Sequence, residues 1–252
     1  KNTRHRDSAA TCTYRQTLCT IHSNMKTFSI ILIFISLPII GLGQIDYLTT
    51  CPDLGEIIPK IKDYESDLYK IILKDFNDQP IARYIVQPSF GPEYAFQIQQ
   101  DQDDNYVLLA NCLITSLWDC DNRDTIQPIQ YINNIGKELT EAISNLFQIL
   151  LQPVNGPCYG SGQDGITYRL YIYDTEKGLL CGETWSPKKG SKMFEIISFC
   201  DATLDYARSP CDKAKNDLIK QIDSLLVMLK IMYCAQQVGI CHWLSAPREL
   251  SG

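Results

Sequence analysis

Arg169, Tyr171 and Tyr173 recur at every second position of one segment, and Glu183 and Trp185 keep the same spacing in the next. Period-two spacing puts each set on one face of a β-strand. Aromatic rings beside a guanidinium suit a peptide or a sugar, so these five are the candidate ligand-binding residues. Trp185, followed by Ser186-Pro187, is equally placed to plug the core at a strand-to-helix corner. A different chemistry, hydrolysis between two carboxylates at fixed separation, has candidates in Asp164, Asp174 and Glu183. With 29 acidic residues in the chain, such groupings arise by chance, and no residue is assigned a catalytic role.

Other constellations are incomplete. Ser161 lies in a glycine-rich loop, but Tyr159-Gly160-Ser161-Gly162 is not the G-x-S-x-G elbow and precedes a strand. No Gly-Lys-Ser/Thr follows that would make a phosphate cradle. Asp101, Asp103 and Asp104 lack the spacing and the twelfth-position Glu of a calcium loop and read as a solvated turn. There is no Cys-x-x-Cys, and His242 is the one histidine after His22, so neither a zinc site nor any cofactor is expected.

The elements that must position these residues follow from apolar periodicity. Residues 54–75 carry a helical stripe through Leu54, Ile61, Leu68 and Ile72, with Asp53 as candidate N-cap. Three strands follow, at 81–86, 94–99 and 106–113, joined by short polar turns that favour antiparallel pairing. Leu139, Ile143, Leu146 and Leu150 mark a helix over 136–151. A hairpin is expected at 166–185, with Ile166, Tyr168, Leu170 and Ile172 on the core face. Helices are expected over about 191–207 and from Asp212 onward, and the tail from Gln236 shows no period. The fold class is α+β: an antiparallel sheet of about five strands, helices mainly on one face, plus a C-terminal helix. The face carrying Arg169, Tyr171 and Tyr173 would then be open or half covered.

Composition places the chain among globular proteins: 45% hydrophobic and 21% charged residues. A formal net charge of −6 argues against a nucleic-acid surface. Met25-Lys26, the apolar run Phe28–Leu42 and small residues at Gly41 and Gly43 form the three-part pattern of a secretory signal. The run is shorter than the roughly 20 residues that span a bilayer. Residues 1–24 therefore read as an upstream non-native segment, 25–43 as signal peptide, 44–209 as one α+β domain, and 210–252 as a helix with a loose tail. The exported form would begin near Gln44 with no stable membrane insertion.

Nine cysteines lie beyond residue 43. Export permits disulfides, and at least one is expected. An odd count leaves a free thiol or an intermolecular bond. By separation alone, Cys112–Cys120 and Cys200–Cys211 are the local candidates.

The strings Asp164-Gly165-Ile166-Thr167-Tyr168, Cys181-Gly182-Glu183-Thr184-Trp185-Ser186-Pro187 and Gly190-Ser191-Lys192-Met193 resemble small secreted bacterial proteins of unassigned function. Pro92-Glu93-Tyr94-Ala95-Phe96 and the Gly-Leu-Gly-Gln signal end fit the same group. The resemblance spans about residues 25–207, implies export and brings no catalytic residue with it. The expected role is a secreted or periplasmic non-catalytic binding or interaction protein for a protein, peptide or sugar. The alternatives are the carboxylate hydrolase and an envelope structural protein linked by a disulfide.

Overall fold

The computed structural model describes residues 48–51, 59–152, 154 and 164–244, with the backbone alone for 59–62 and 232–244. The signal segment, the Ser161 loop and the Asp53 cap lie outside these residues. By contacts the chain divides into Lys1–Ile45 and Asp46–Gly252, and every described residue belongs to the second unit.

Seven strands form one antiparallel sheet: β1 (Thr49–Thr50), β2 (Ala82–Pro88), β3 (Tyr94–Gln100), β4 (Tyr106–Cys112), β5 (Ile129–Asn134), β6 (Ile166–Asp174) and β7 (Gly178–Trp185). Their order is β1-β7-β6-β2-β3-β4-β5. The described helices are α1 (Pro59–Ile72), α2 (Lys137–Leu151), α3 (Lys192–Arg208) and α4 (Asp212–Leu244). Strands β2 to β5 make a meander. Helix α2 then leads back, so that the β6–β7 hairpin is added on the far side of β2.

Local chemistry sets the turns. The Asp101 carboxylate accepts the N–H groups of Asp103 and Asn105 at 2.9 and 2.8 Å, which closes the β3–β4 turn and holds that carboxyl below its ordinary pKa. Asp174 does the same for Glu176 and Lys177, and Gly178 supplies the positive φ, +81°, that ends the turn. Ser191 caps α3 by accepting the Phe194 N–H.

The larger core lies between one sheet face and α2, α3 and α4. Tyr84, Phe96, Leu108 and Leu170 meet Ile143, Phe147, Ile197 and Leu204 there, and Leu218 and Ile222 of α4 join them. The expected core face of the hairpin is therefore observed: Tyr168, Leu170 and Ile172 are buried and Ile166 packs against them.

Four expectations need correction. Among the described residues the strand count is seven, because Thr49–Thr50 and Ile129–Asn134 also pair. The second sheet face is not open. Helix α1 covers it, and Tyr64, Leu68 and Ile72 pack there on Ile85, Ala95 and Leu117. Strand β2 shows why: five consecutive residues are buried, as a strand requires when both faces are covered. The tail is helical as far as Leu244. Finally, Cys112, Cys120, Cys200 and Cys211 are free thiols. Cys112 faces the larger core, while Leu117, in the turn that ends at Cys120, belongs to the core on the opposite face. Cys200 is buried on α3, whereas Cys211 is exposed.

The expected disulfide joins Cys51 to Cys181 instead, across 130 positions. The antiparallel β1–β7 register pairs Thr50 with Gly182, which brings Cys51, after Thr50, beside Cys181, before Gly182. Closing so long a loop constrains the unfolded chain strongly.

Candidate functional site

Arg169 sits on the sheet face beneath α1, opposite Glu183 in the β6–β7 register. Its Nε donates to Glu183 Oε2 at 2.6 Å and its Nη2 to Glu65 Oε1 at 2.8 Å. Nη1 donates to the Tyr69 hydroxyl. Glu65 and Tyr69 are one helical turn apart on α1, so both reach down to one guanidinium. All three charged side chains are buried. Burial alone would lower the Arg169 pKa, but the oxygens of Tyr69, Glu183, Tyr171 and Glu65 around it hold it above its ordinary value.

The polar layer continues across the sheet. Arg83 donates from Nε to Gln97 Oε1 at 2.6 Å and from Nη2 to the Asn77 carbonyl at 2.7 Å. Its guanidinium lies 5.7 Å from the Tyr171 ring centroid. Asn111 Nδ2 donates to the carbonyls of Ile72 and Lys74, both at 2.9 Å, and so satisfies acceptors that the end of α1 leaves open. This layer seats a helix; its charges do not reach solvent.

Beside α1, the connection between β4 and β5 is pinned by Glu93. That carboxylate is fully buried. It accepts the Tyr64 hydroxyl at 2.6 Å and the Leu117 N–H at 3.0 Å, and burial followed by this bond pushes the Tyr64 hydroxyl far above its ordinary pKa. Trp118 stacks on the Tyr64 ring at 3.8 Å between centroids. Arg123 lies 5.6 Å from the same ring and pairs with Asp67 at 3.1 Å.

Between α1 and residues 123–128 a cleft of about 260 Å³ remains, with Lys70, Lys74 and Arg123 around it and Ile71, Ile126 and Pro128 between them. Its acidic members are Asp67 and Asp124. Lys70 meets Asp124 at 3.2 Å, with side chains 73% and 82% exposed. A pair that exposed contributes at most about 1 kcal/mol, so a ligand carboxylate can displace Asp124 at small cost.

A separate, half-buried carboxylate lies beside the larger core. Asp201 of α3 accepts the hydroxyls of Tyr84 at 2.9 Å and Tyr94 at 3.2 Å. Burial raises its pKa, and the two hydroxyl bonds offset only part of that. Burial and the Asp201 charge push the Tyr168 hydroxyl up to about 12. A carboxyl whose folded pKa exceeds its unfolded one binds its proton more tightly in the native state, so stability falls as pH rises through that window. Asp201→Asn is therefore expected to raise the melting temperature at pH 7. Its advantage should shrink below about pH 4, where Asp is protonated in both states. Thermal melts across pH test this, and an Asn variant less stable than wild type at pH 7 would contradict it.

The five sequence candidates do not form one surface. Arg169 and Glu183 are sealed under α1, and Tyr171 packs against the smaller core. Tyr173 is partly exposed. Trp185 is 37% exposed at the end of β7, its ring against Gly165. Of the carboxylates, Glu183 is engaged by Arg169, Asp174 closes a turn, and Asp164 is exposed. The residues that sequence reasoning missed are Glu65, Tyr69, Glu93 and Arg123. One signal was present: Glu65 and Tyr69 share the helical stripe with Leu68 and Ile72, where a charge must find a buried partner.

The arrangement defines a seven-stranded antiparallel α+β protein with helices on both faces and a charged cleft beside α1. No family model, curated protein or solved structure matches the chain. Among the described residues no helix is long and apolar enough to cross a membrane.

Proposed function

We propose that this is a non-catalytic binding protein of an exported compartment, secreted or periplasmic, whose recognition site is the cleft between α1 and residues 123–128. The observation that carries the reading is the lining of that cleft: three cations, of which Lys70 and Arg123 are paired with Asp124 and Asp67, beside Ile71, Ile126 and Pro128, so that the cleft keeps one positive charge in excess in a chain whose net charge is −6. Such a surface fits a peptide that presents carboxylates beside an apolar side chain. The Cys51–Cys181 bond supports an oxidising compartment, as do the signal pattern and the resemblance to small secreted bacterial proteins. The hydrolase alternative is disfavoured because Glu183 is buried against Arg169.

Calorimetric titration with an Asp-Leu-Asp peptide, and with its Asn-Leu-Asn counterpart, tests the reading. Saturable binding of the acidic peptide alone is expected, weakened about tenfold or more by Lys70→Glu with Lys74→Glu. Both lysines are exposed, so the variant should melt as wild type does. No binding, or binding indifferent to the double variant, would overturn the proposal.

A further inference from the structure

The two edges of the sheet are managed differently. At one edge β1 has two residues and is tied to β7 by the disulfide. At the other, β5 is six residues, Ile-Gln-Tyr-Ile-Asn-Asn, and the strand order ends there with no described residue paired to its outer side. Exposed edges are ordinarily blunted by charge, proline or a bulge. Strand β5 has no charge and no proline, and it exposes Ile132 at 59% and Ile129 at 44%.

The hydrogen-bond phase shows which groups are offered. The Ile135 N–H donates to the Tyr106 carbonyl at 2.9 Å, in line with the register that pairs Asn134 with Val107. Alternate residues of an antiparallel strand turn both backbone groups to the same side. Ile129, Tyr131 and Asn133 therefore face β4, whereas Gln130, Ile132 and Asn134 point their N–H and C=O groups outward.

We infer that β5 pairs with β5 of a second copy of this chain, antiparallel and about a two-fold axis at Ile132, in an interface independent of the cleft. The strand is self-complementary in that register. Ile132 meets Ile132 of the other copy as a hydrogen-bonded pair, and Gln130 meets Asn134 in each direction. Every outward N–H then has a carbonyl. Residues that pair across such an axis share a sheet face, so the exposed Ile132 side chains cover one another. Because β5 carries no charge, no like charges from it meet at the axis. The contact is short by the standard of stable dimers, which places it in a weak, concentration-dependent range.

Sedimentation equilibrium of the purified protein from about 1 to 100 µM tests the inference. A monomer–dimer equilibrium is expected. Ile132→Lys sets two like charges on the axis, and Ile132→Pro removes an N–H that points away from β4 and so leaves the β4–β5 ladder intact. Each should weaken the dimer about tenfold or more, with circular dichroism and melting close to wild type. Phe90→Ser, which removes another exposed apolar side chain, should leave the dimer unchanged. A wild-type chain that stays monomeric over the range overturns the inference, as does a dimer that survives Ile132→Lys. If instead wild type binds a synthetic strand of unrelated sequence without dimerising, the edge serves a different partner.

Discussion

Arg169→Met is expected to cost about 3–5 kcal/mol of folding stability, the loss that follows when one member of a buried ion-pair cluster is removed. Glu65 and Glu183 share this one guanidinium. Without it, two buried carboxylates face each other across the space it filled, with Tyr69 deprived of the same partner. Glu65 Oε2 already has no hydrogen-bond partner, so the variant has little with which to compensate. Replacing all three charged residues by apolar ones of similar volume should recover much of the loss, because an apolar cluster needs no partner charges. Urea unfolding of the single and triple variants decides it. A single variant within about 0.5 kcal/mol of wild type, the range of an ordinary surface change, would mean that α1 is not seated on the sheet as described.

Leu170→Ala is expected to cost about 2–5 kcal/mol, as for a buried leucine whose site cannot collapse. Leu170 is fully buried, and the register sets it between Tyr84 and Gly182. A Cβ at Gly182 would come within 2.9 Å of Leu48 and 2.8 Å of Leu151, so the neighbouring position is already close-packed. Its neighbour Tyr171 gives the contrast. On an open face Tyr171→Ser would be nearly neutral. Beneath α1, beside Arg83 and Tyr69, it should cost about 1–3 kcal/mol through unmade hydrogen bonds and lost packing. Denaturant midpoints should rank Leu170→Ala as the more damaging, with both effects measurable. A Tyr171→Ser variant within about 0.5 kcal/mol of wild type would mean that α1 does not cover that face.

Local periodicity made much of the scaffold legible. Alternation along Ile166–Asp174 separated the core side chains from Arg169, Tyr171 and Tyr173, because a strand's two faces are fixed by parity alone. The stripes through Leu139, Ile143 and Leu146, and through Leu218, Ile222 and Leu225, likewise located helices and their buried sides, which are buried as expected. These properties depend on neighbours three or four residues away.

What the chain leaves to tertiary structure depends on partners far away in sequence. Ile129–Asn134 is short, polar and unremarkable in isolation; it is a strand because Val107–Cys112 offers it a ladder. Which cysteine meets Cys51 is decided by the register of β1 on β7, 130 positions on. The same holds for Arg169. Its spacing with Tyr171 and Tyr173 is equally compatible with an exposed binding face and with a buried clamp. Only the seating of α1 on that face, which brings Glu65 within 2.8 Å, decides between them, since a guanidinium in low dielectric is held by carboxylates that the local sequence does not supply.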